Sequence, residues 1–424
     1  MHHFHYKNGV LHAEDVDLAA LADEIGTPFY CYATATLERH YQVFAKAFEG
    51  SDTLICYSVK ANSNLAVLRT LARLGSGMDV VSEGELRRVR AAGVPADRIV
   101  FSGVGKTRAE MAYALDEGIY AFNVESEPEL EALSEAAAAS GHAARVAFRV
   151  NPDIDPKTHR KISTGKAEDK FGVPWDDAPD LYRRAAGLPG IAPCGVHMHI
   201  GSQITDLRPF HDAFALLRQL VERLTDDGHT LEFINFGGGL GIPYRADEEV
   251  PPDPDAYAET VLTSARDLGC RLVFEPGRMI SGNAGILVVR VLYTKRGANR
   301  HFTVIDGAMN DLIRPTLYEA HHEIWPVDEV RAGGPTVTTD VVGPVCETGD
   351  YLALGRQLPE FAEGDLIAIM TAGAYGAVQS STYNSRLLVP EVLVKGDKSA
   401  VVRPRPSYDD LLSGERMPNW LTQT

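Results

Sequence analysis

A chain of 424 residues with 45% hydrophobic and 23% charged positions has an ordinary globular composition, long enough for about two or three domains and a sizeable core. Its formal charge of −17 argues against nucleic acid or an anionic membrane as a partner, because phosphate is held mainly by clustered Lys and Arg. No stretch reaches the roughly 18 uncharged apolar residues of a membrane span. The opening Met1-His2-His3-Phe4-His5 lacks the charged-then-apolar order of a signal peptide and reads as a frayed terminus, so a cytoplasmic location is expected.

The first 35 residues include the strand-like run GTPFYCYA (26–33) and are expected to join a β-rich domain further on. From residue 54 short apolar runs alternate with longer helical patterns, the signature of parallel βα units. Eight such strands are predicted: LICYS (54–58), MDVV (78–81), RIVF (98–101), IYAFNV (119–124), ARVAFRV (144–150), GVHMHI (195–200), LEFINF (231–236) and RLVFE (271–275). Between them lie helices such as 83–93, 126–140 and 209–224, the second opening on a Ser126 cap with Glu129 three residues on. This is the size of a closed parallel (β/α)8 barrel, assigned to residues 36–284. From residue 285 to 424 the texture turns β-rich, with strands expected at 286–294, 301–306, 336–343, 365–370 and 387–394. The five cysteines form no CxxC pair, which argues against a disulfide framework or structural zinc. Cys31, Cys56, Cys194 and Cys270 read as buried thiols, whereas Cys346 sits in a Gly/Pro-rich loop, GPVCETGD.

In such a barrel the active site forms where strands end. Lys60 follows the first strand in YSVKAN, Asp79 lies near the centre of the second, and His199, Gly201, Ser202 and Gln203 accompany the end of the sixth. The seventh strand ends in FGGGLGI (236–242) and the eighth in Glu275-Pro276-Gly277-Arg278. The run Gly237-Gly238-Gly239 can expose consecutive backbone N–H groups, an anion nest suited to phosphate. A lysine for covalent attachment, a phosphate nest and an acid for a pyridinium nitrogen together describe pyridoxal phosphate in a barrel. Glu275 would be that acid and His199 would stack on the ring. His199 also reads as a packed strand histidine, or, with His197 two residues before it on the same face, as half of a metal-binding pair. Metal-dependent barrel hydrolases carry such a pair near the first strand, so no metal is assigned.

Seven segments, YSVKAN (57–62), DVVSEGEL (79–86), 151–172, GVHMHIGSQ (195–203), FGGGLGI, EPGR and CETGD (346–350), resemble the diaminopimelate decarboxylases, within the alanine racemase-like group of pyridoxal-phosphate enzymes. The resemblance spans most of the chain and implies a (β/α)8 barrel followed by a β-barrel or sandwich domain. It implies that Lys60 attaches the cofactor, His199 stacks on it, and Glu275 contacts its ring nitrogen. Asp79, Ser202, Gly238, Gly239, Pro276, Gly277, Arg278 and Tyr375 would complete the cofactor site. Arg278, Arg314, Tyr318 and Tyr375 would bind the substrate, Glu347 its distal ammonium, and Cys346 would supply a proton after carbon dioxide leaves. It further implies a homodimer, with Cys346 and Glu347 reaching the site from the other subunit, and a lid over residues 157–172.

Decarboxylases acting on ornithine or arginine share Lys60, His199, the glycine run and EPGR, so the segment IRPTLY (313–318) has to decide the substrate. An Arg expected two turns from a Tyr offers a second carboxylate clamp, left unpaired by a substrate whose far end is only an ammonium. A racemase would need a second acid/base pair across the ring, and a non-catalytic relative would have lost part of the constellation.

Overall fold

The computed structural model describes residues 2–245 and 251–422, apart from 157, 160 and 167. Those three positions of the expected 157–172 lid therefore lie outside the described residues. The chain divides into two compact units, Thr34–Asn283 and Met1–Ala33 with Ala284–Thr424.

In the first unit eight parallel strands close on themselves: β1 (Thr53–Ser58), β2 (Gly77–Val80), β3 (Ile99–Phe101), β4 (Ala121–Val124), β5 (Ala144–Asn151), β6 (Ile191–His197), β7 (Phe233–Asn235) and β8 (Arg271–Phe274). Each pairs with the next and β8 returns to β1. Both faces of these strands are covered, so their sequences read as continuous apolar runs rather than alternating ones. Inside, Leu54, Cys56, Val100, Ala121, Ala147, Cys194, Phe233 and Val273 fill the barrel. The Phe233 ring needs a gap opposite it. A Cβ at Gly195 would lie 2.3 Å from that ring, and β6 bulges between Pro193 and Gly195 where it passes. Outside, Phe274 and Phe236 meet Phe44, Phe214 and Tyr257 from the surrounding helices and Phe48 from the turn after one of them, with Phe48 and Phe274 centroids 4.3 Å apart. The helix Glu127–Ser140 starts on Ser126, whose Oγ accepts the Glu129 N–H at 3.3 Å.

The second unit is built on the long strand Gly285–Arg296. It pairs antiparallel with Phe29–Ala33, His301–Ile305 and Leu366–Ile369, while Phe29–Ala33 also pairs parallel with Glu391–Lys395. Phe29, Cys31, Ala33, Ile286, Val288 and Val392 share one core with Phe4, Leu11 and Ala13 of an N-terminal hairpin. The strand expected at 387–394 begins only at Glu391, because Pro390 has no N–H to give a ladder. Among the described residues no helix is long and apolar enough to cross a membrane.

Candidate active site

Lys60 sits in the single turn Val59–Ala61 that follows β1. Its Nζ lies 2.8 Å from Asp79 Oδ2, which also accepts the Ser58 hydroxyl at 2.6 Å. Asp79 is fully buried and its other oxygen has no partner among the described residues, whereas the Lys60 side chain is 39% exposed. Burial and the nearby Glu275 push the Asp79 carboxyl up, and Lys60 pulls it back only in part. The lysine is thus anchored at one end of the barrel with its amine accessible.

Glu275, directly after β8, is equally enclosed but differently treated. Its Oε1 accepts Asn235 Nδ2 at 2.7 Å, Asn123 Nδ2 at 2.8 Å and, weakly, Ser102 Oγ at 3.5 Å. Its Oε2 faces His197 Nε2 at 3.4 Å. Burial favours the neutral acid here too, but His197 and Lys60 outweigh it and hold the carboxyl well below the usual carboxylate range. The group is a carboxylate held by amide donors, with one oxygen saturated and the other lightly engaged.

The glycine run corrects one expectation. The Gly237 N–H goes to Asn235 Oδ1 at 2.9 Å and the Gly238 N–H to His199 Nδ1 at 3.1 Å, so of the three only Gly239 keeps an N–H not given to a protein acceptor among the described residues. The glycines serve close approach as much as anion binding. A Cβ on Gly238 would stand 2.3 Å from the Glu275 carbonyl oxygen, and Gly239 has φ +111° with its Cβ position 2.5 Å from the Gly201 oxygen. Pro276 accepts the Ser58 N–H at 3.0 Å, and Gly277 is packed so closely on Ser58 and Ala61 that a Cβ would come within 3.0 Å of both side chains. The Glu275–Arg278 turn is thereby seated on the Lys60 turn. Arg278 reaches Ser202 Oγ at 3.1 Å and the Tyr244 hydroxyl at 2.6 Å.

The pairing of His197 and His199 on one strand face is also corrected, because β6 ends at His197. Beyond it, His199 turns its Nδ1 to the Gly238 N–H. Burial, with Arg149 and Lys60, holds His199 well below its ordinary value, so it is a neutral ring with its proton on Nε2.

The other unit carries the remaining expected residues. Arg314 and Tyr318 bracket one short helix, Arg314–Tyr318, one turn apart rather than the two turns expected, because a spacing of four residues is about one helical turn. Arg314 is buried with Nη1 3.0 Å from His322 Nε2, and Tyr318 accepts Gln379 Nε2 at 3.3 Å. Cys346 and Glu347 are exposed on a loop whose shape is set from inside by Asp350, which accepts the N–H groups of Met309 and Val345 at 2.6 Å each. The Cys346 N–H goes to Asn384 Oδ1 at 2.9 Å. Tyr375 holds φ +57°, in a stretch where Thr371, Asn384 and Ser385 are also left-handed. Such strain collects at functional loops. All five cysteines are free; Cys270 is only half-buried, because its segment precedes β8 rather than lying in it.

Sequence reasoning missed Ser58, Ser102, Asn123, Asn235 and the buried Arg149–Glu125 pair, whose closest contact is 3.2 Å. Ser58, Asn123 and Asn235 lie at or next to strand C-termini, so the rule that found Lys60 also pointed at them.

Residues 34–282 match the model of a family described as pyridoxal-dependent decarboxylase, pyridoxal binding domain. The whole chain is similar to the diaminopimelate decarboxylase of Zymomonas mobilis, 47% identical over 99% of both chains. It is also similar to that of Vibrio cholerae, 50% identical over 97% of this chain and 98% of the other. Among solved structures, diaminopimelate decarboxylase from M. jannaschi superposes with a TM-score of 0.94 at 35% identity over 99% of both chains. The Helicobacter pylori enzyme, complexed with L-lysine, does so at 0.90 and 40% over 94% of this chain and 98% of that one.

Proposed function

The chain belongs to the pyridoxal-dependent decarboxylases, in the diaminopimelate decarboxylase family, and on that premise we propose that it is a carboxy-lyase converting meso-2,6-diaminopimelate to L-lysine and carbon dioxide, the last step of lysine biosynthesis, with pyridoxal phosphate bound in residues 36–284. The observation that carries this reading is one barrel end holding an anchored, accessible amine 2.8 Å from Asp79 and, seated on the same turn, a carboxylate gripped by two amide donors and kept ionised by His197 and Lys60. The residues fit the cofactor. Gly239 offers a backbone N–H in a spot a side chain would fill, Ser202 a hydroxyl, and Glu275 an Oε2 that only His197 approaches, at 3.4 Å, among the described residues.

Lys60 would attach the cofactor, Asp79 steadying it, His199 would stack on the ring and Glu275 would hold its nitrogen. Ser202, Gly238, Gly239, the Pro276–Arg278 turn and Tyr375 would line the phosphate. Pyridoxal phosphate, when bound, supplies an electron sink for the pair left by the Cα–carboxylate bond. Arg278, Arg314 and Tyr318, with Tyr375, orient the distal carboxylate, Glu347 takes the distal ammonium, and Cys346 delivers a proton to Cα. The same proposal includes a homodimer whose sites are shared between subunits, the 157–172 segment as a lid, and a cytoplasmic location, which the five free thiols support. Carbon dioxide release from diaminopimelate, lysine, ornithine and arginine, each assayed with added pyridoxal phosphate, tests the substrate. Release from diaminopimelate alone is expected, and preference for any of the other three overturns the assignment.

A further inference from the structure

Resting on the cofactor reading above, we propose that His197 and Asn123 are positioning residues which keep the proton shared by Glu275 and a bound cofactor's ring nitrogen on the nitrogen. A pyridine ring withdraws electrons well only while protonated, so the outcome depends on which of the two bases is weaker. Enclosure makes a carboxylate the stronger base, because low polarity disfavours its charge. Glu275 is 6% exposed and on burial alone would take the proton. Donors directed at the charged form reverse this. Asn123 and Asn235 occupy Oε1 at 2.8 and 2.7 Å, leaving Oε2 to face the ligand.

His197 completes the arrangement. It is 1% exposed, neither ring nitrogen has a hydrogen-bond partner among the described residues, and Nε2 stands 3.4 Å from Oε2. The ring nitrogen that approaches Glu275 is Nε2, so a proton there faces Oε2. The contact is loose, so Oε2 keeps capacity for a second, shorter bond. Lys60 also acts on Glu275, and Asp79 is the like charge beside it. Asn123 is itself fixed. Its Nδ2 also reaches Ser102 Oγ at 2.9 Å, and its main-chain carbonyl accepts Lys106 Nζ at 2.8 Å, a lysine paired with Glu129 at 2.6 Å.

The test uses full-length protein reconstituted with pyridoxal phosphate labelled with 15N in the ring, reading the ring-nitrogen chemical shift alongside kcat and KM. Wild type should show a protonated ring. His197→Leu should move the shift toward the unprotonated position and lower kcat about tenfold, the equivalent of one pKa unit, with KM little changed. His197→Gln, which returns an N–H donor, should restore most of both, and Asn123→Leu should move them in the same direction by less. Gel filtration and thermal midpoints check folding; if His197→Leu does not fold, the other two variants decide. A wild-type shift in His197→Leu and Asn123→Leu, or no recovery in His197→Gln, overturns the inference while the cofactor reading stands. A wild-type protein that takes up no cofactor overturns both.

Discussion

Burial acts on Asp79 and Glu275 in the same direction, yet one carboxyl ends above its ordinary range and the other below it. Neighbours decide: Asp79 receives one lysine and one hydroxyl and leaves an oxygen without a partner among the described residues, whereas Glu275 collects amides, a hydroxyl and a facing imidazole. Since Lys60 is the proposed attachment point, Lys60→Ala with added pyridoxal phosphate should lack the absorption band of attached cofactor and incorporate no label from tritiated borohydride. A band of wild-type intensity in that variant would remove Lys60 from the role. Asp311 shows burial prevailing over its neighbours: it is 1% exposed, Oδ2 accepts the Ala308 N–H, Oδ1 has no partner among the described residues, and burial pushes the carboxyl up to about 7 against that hydrogen bond and Arg386. In the unfolded chain it would lose its proton near about pH 4, so the folded state binds the extra proton and stability falls as pH rises between the two values. Asp311→Asn does not titrate. Its stability should match wild type at the acid end and exceed it by on the order of a few kcal/mol at neutral pH, measured by denaturant unfolding across that range; parallel profiles would contradict the sign. Lys60, Glu275 and Gly239 were legible in the sequence because a barrel concentrates chemistry at strand ends. Asn123 was not singled out and His197 was read only as half of a metal-binding pair, since their part is fixed only by where Glu275 comes to rest.

Strands legible in the sequence were those enclosed on both faces, and the eight barrel strands differ from expectation mainly at their ends. β7 shrinks to Phe233–Asn235 because Gly237, Gly238 and Gly239 turn away to meet Glu275 and Gly201. In the β-rich unit, Tyr351–Pro359 and Lys398–Arg403 escaped notice because much of each is exposed, so neither gives an apolar run. Arg314 and Tyr318 were recognised as a pair set by helical turns, but two turns apart where the helix Arg314–Tyr318 holds them one turn apart. The turn after β7 is where element geometry bears most directly on the site. Gly238→Ala would drive a methyl group against the Glu275 carbonyl oxygen, 2.3 Å away, and backbone cannot swing aside as a side chain can. That variant should lose about 1–3 kcal/mol of stability, seen as a lower thermal midpoint, and should bind pyridoxal phosphate more weakly in a fluorescence titration. Unchanged values for both would mean that β8 and its turn shift freely, against the tight seating of Pro276 and Gly277 on the Lys60 turn.

At the scale of the whole molecule, the proposed reaction divides its chemistry between two compact units, with Lys60 and Glu275 in one and Cys346 and Glu347 in the other. The thiol and carboxylate are exposed, yet their loop is held from within by Asp350. A loop both exposed and already ordered can serve another chain without a large ordering cost on association. If it does, an isolated chain has no complete site. A two-fold dimer then makes two equivalent ones, each combining the barrel of one chain with the loop of the other. Lys60→Ala and Cys346→Ala chains should each be inactive as homodimers. After subunit exchange, a hybrid dimer holds one site with both losses and one with neither, so activity should rise well above that of either parent. Differently labelled chains and gel filtration establish that exchange has occurred. Should the exchanged mixture stay as inactive as its parents, Cys346 acts within its own chain, and the shared-site arrangement fails even if the chemistry at Lys60 and Glu275 stands.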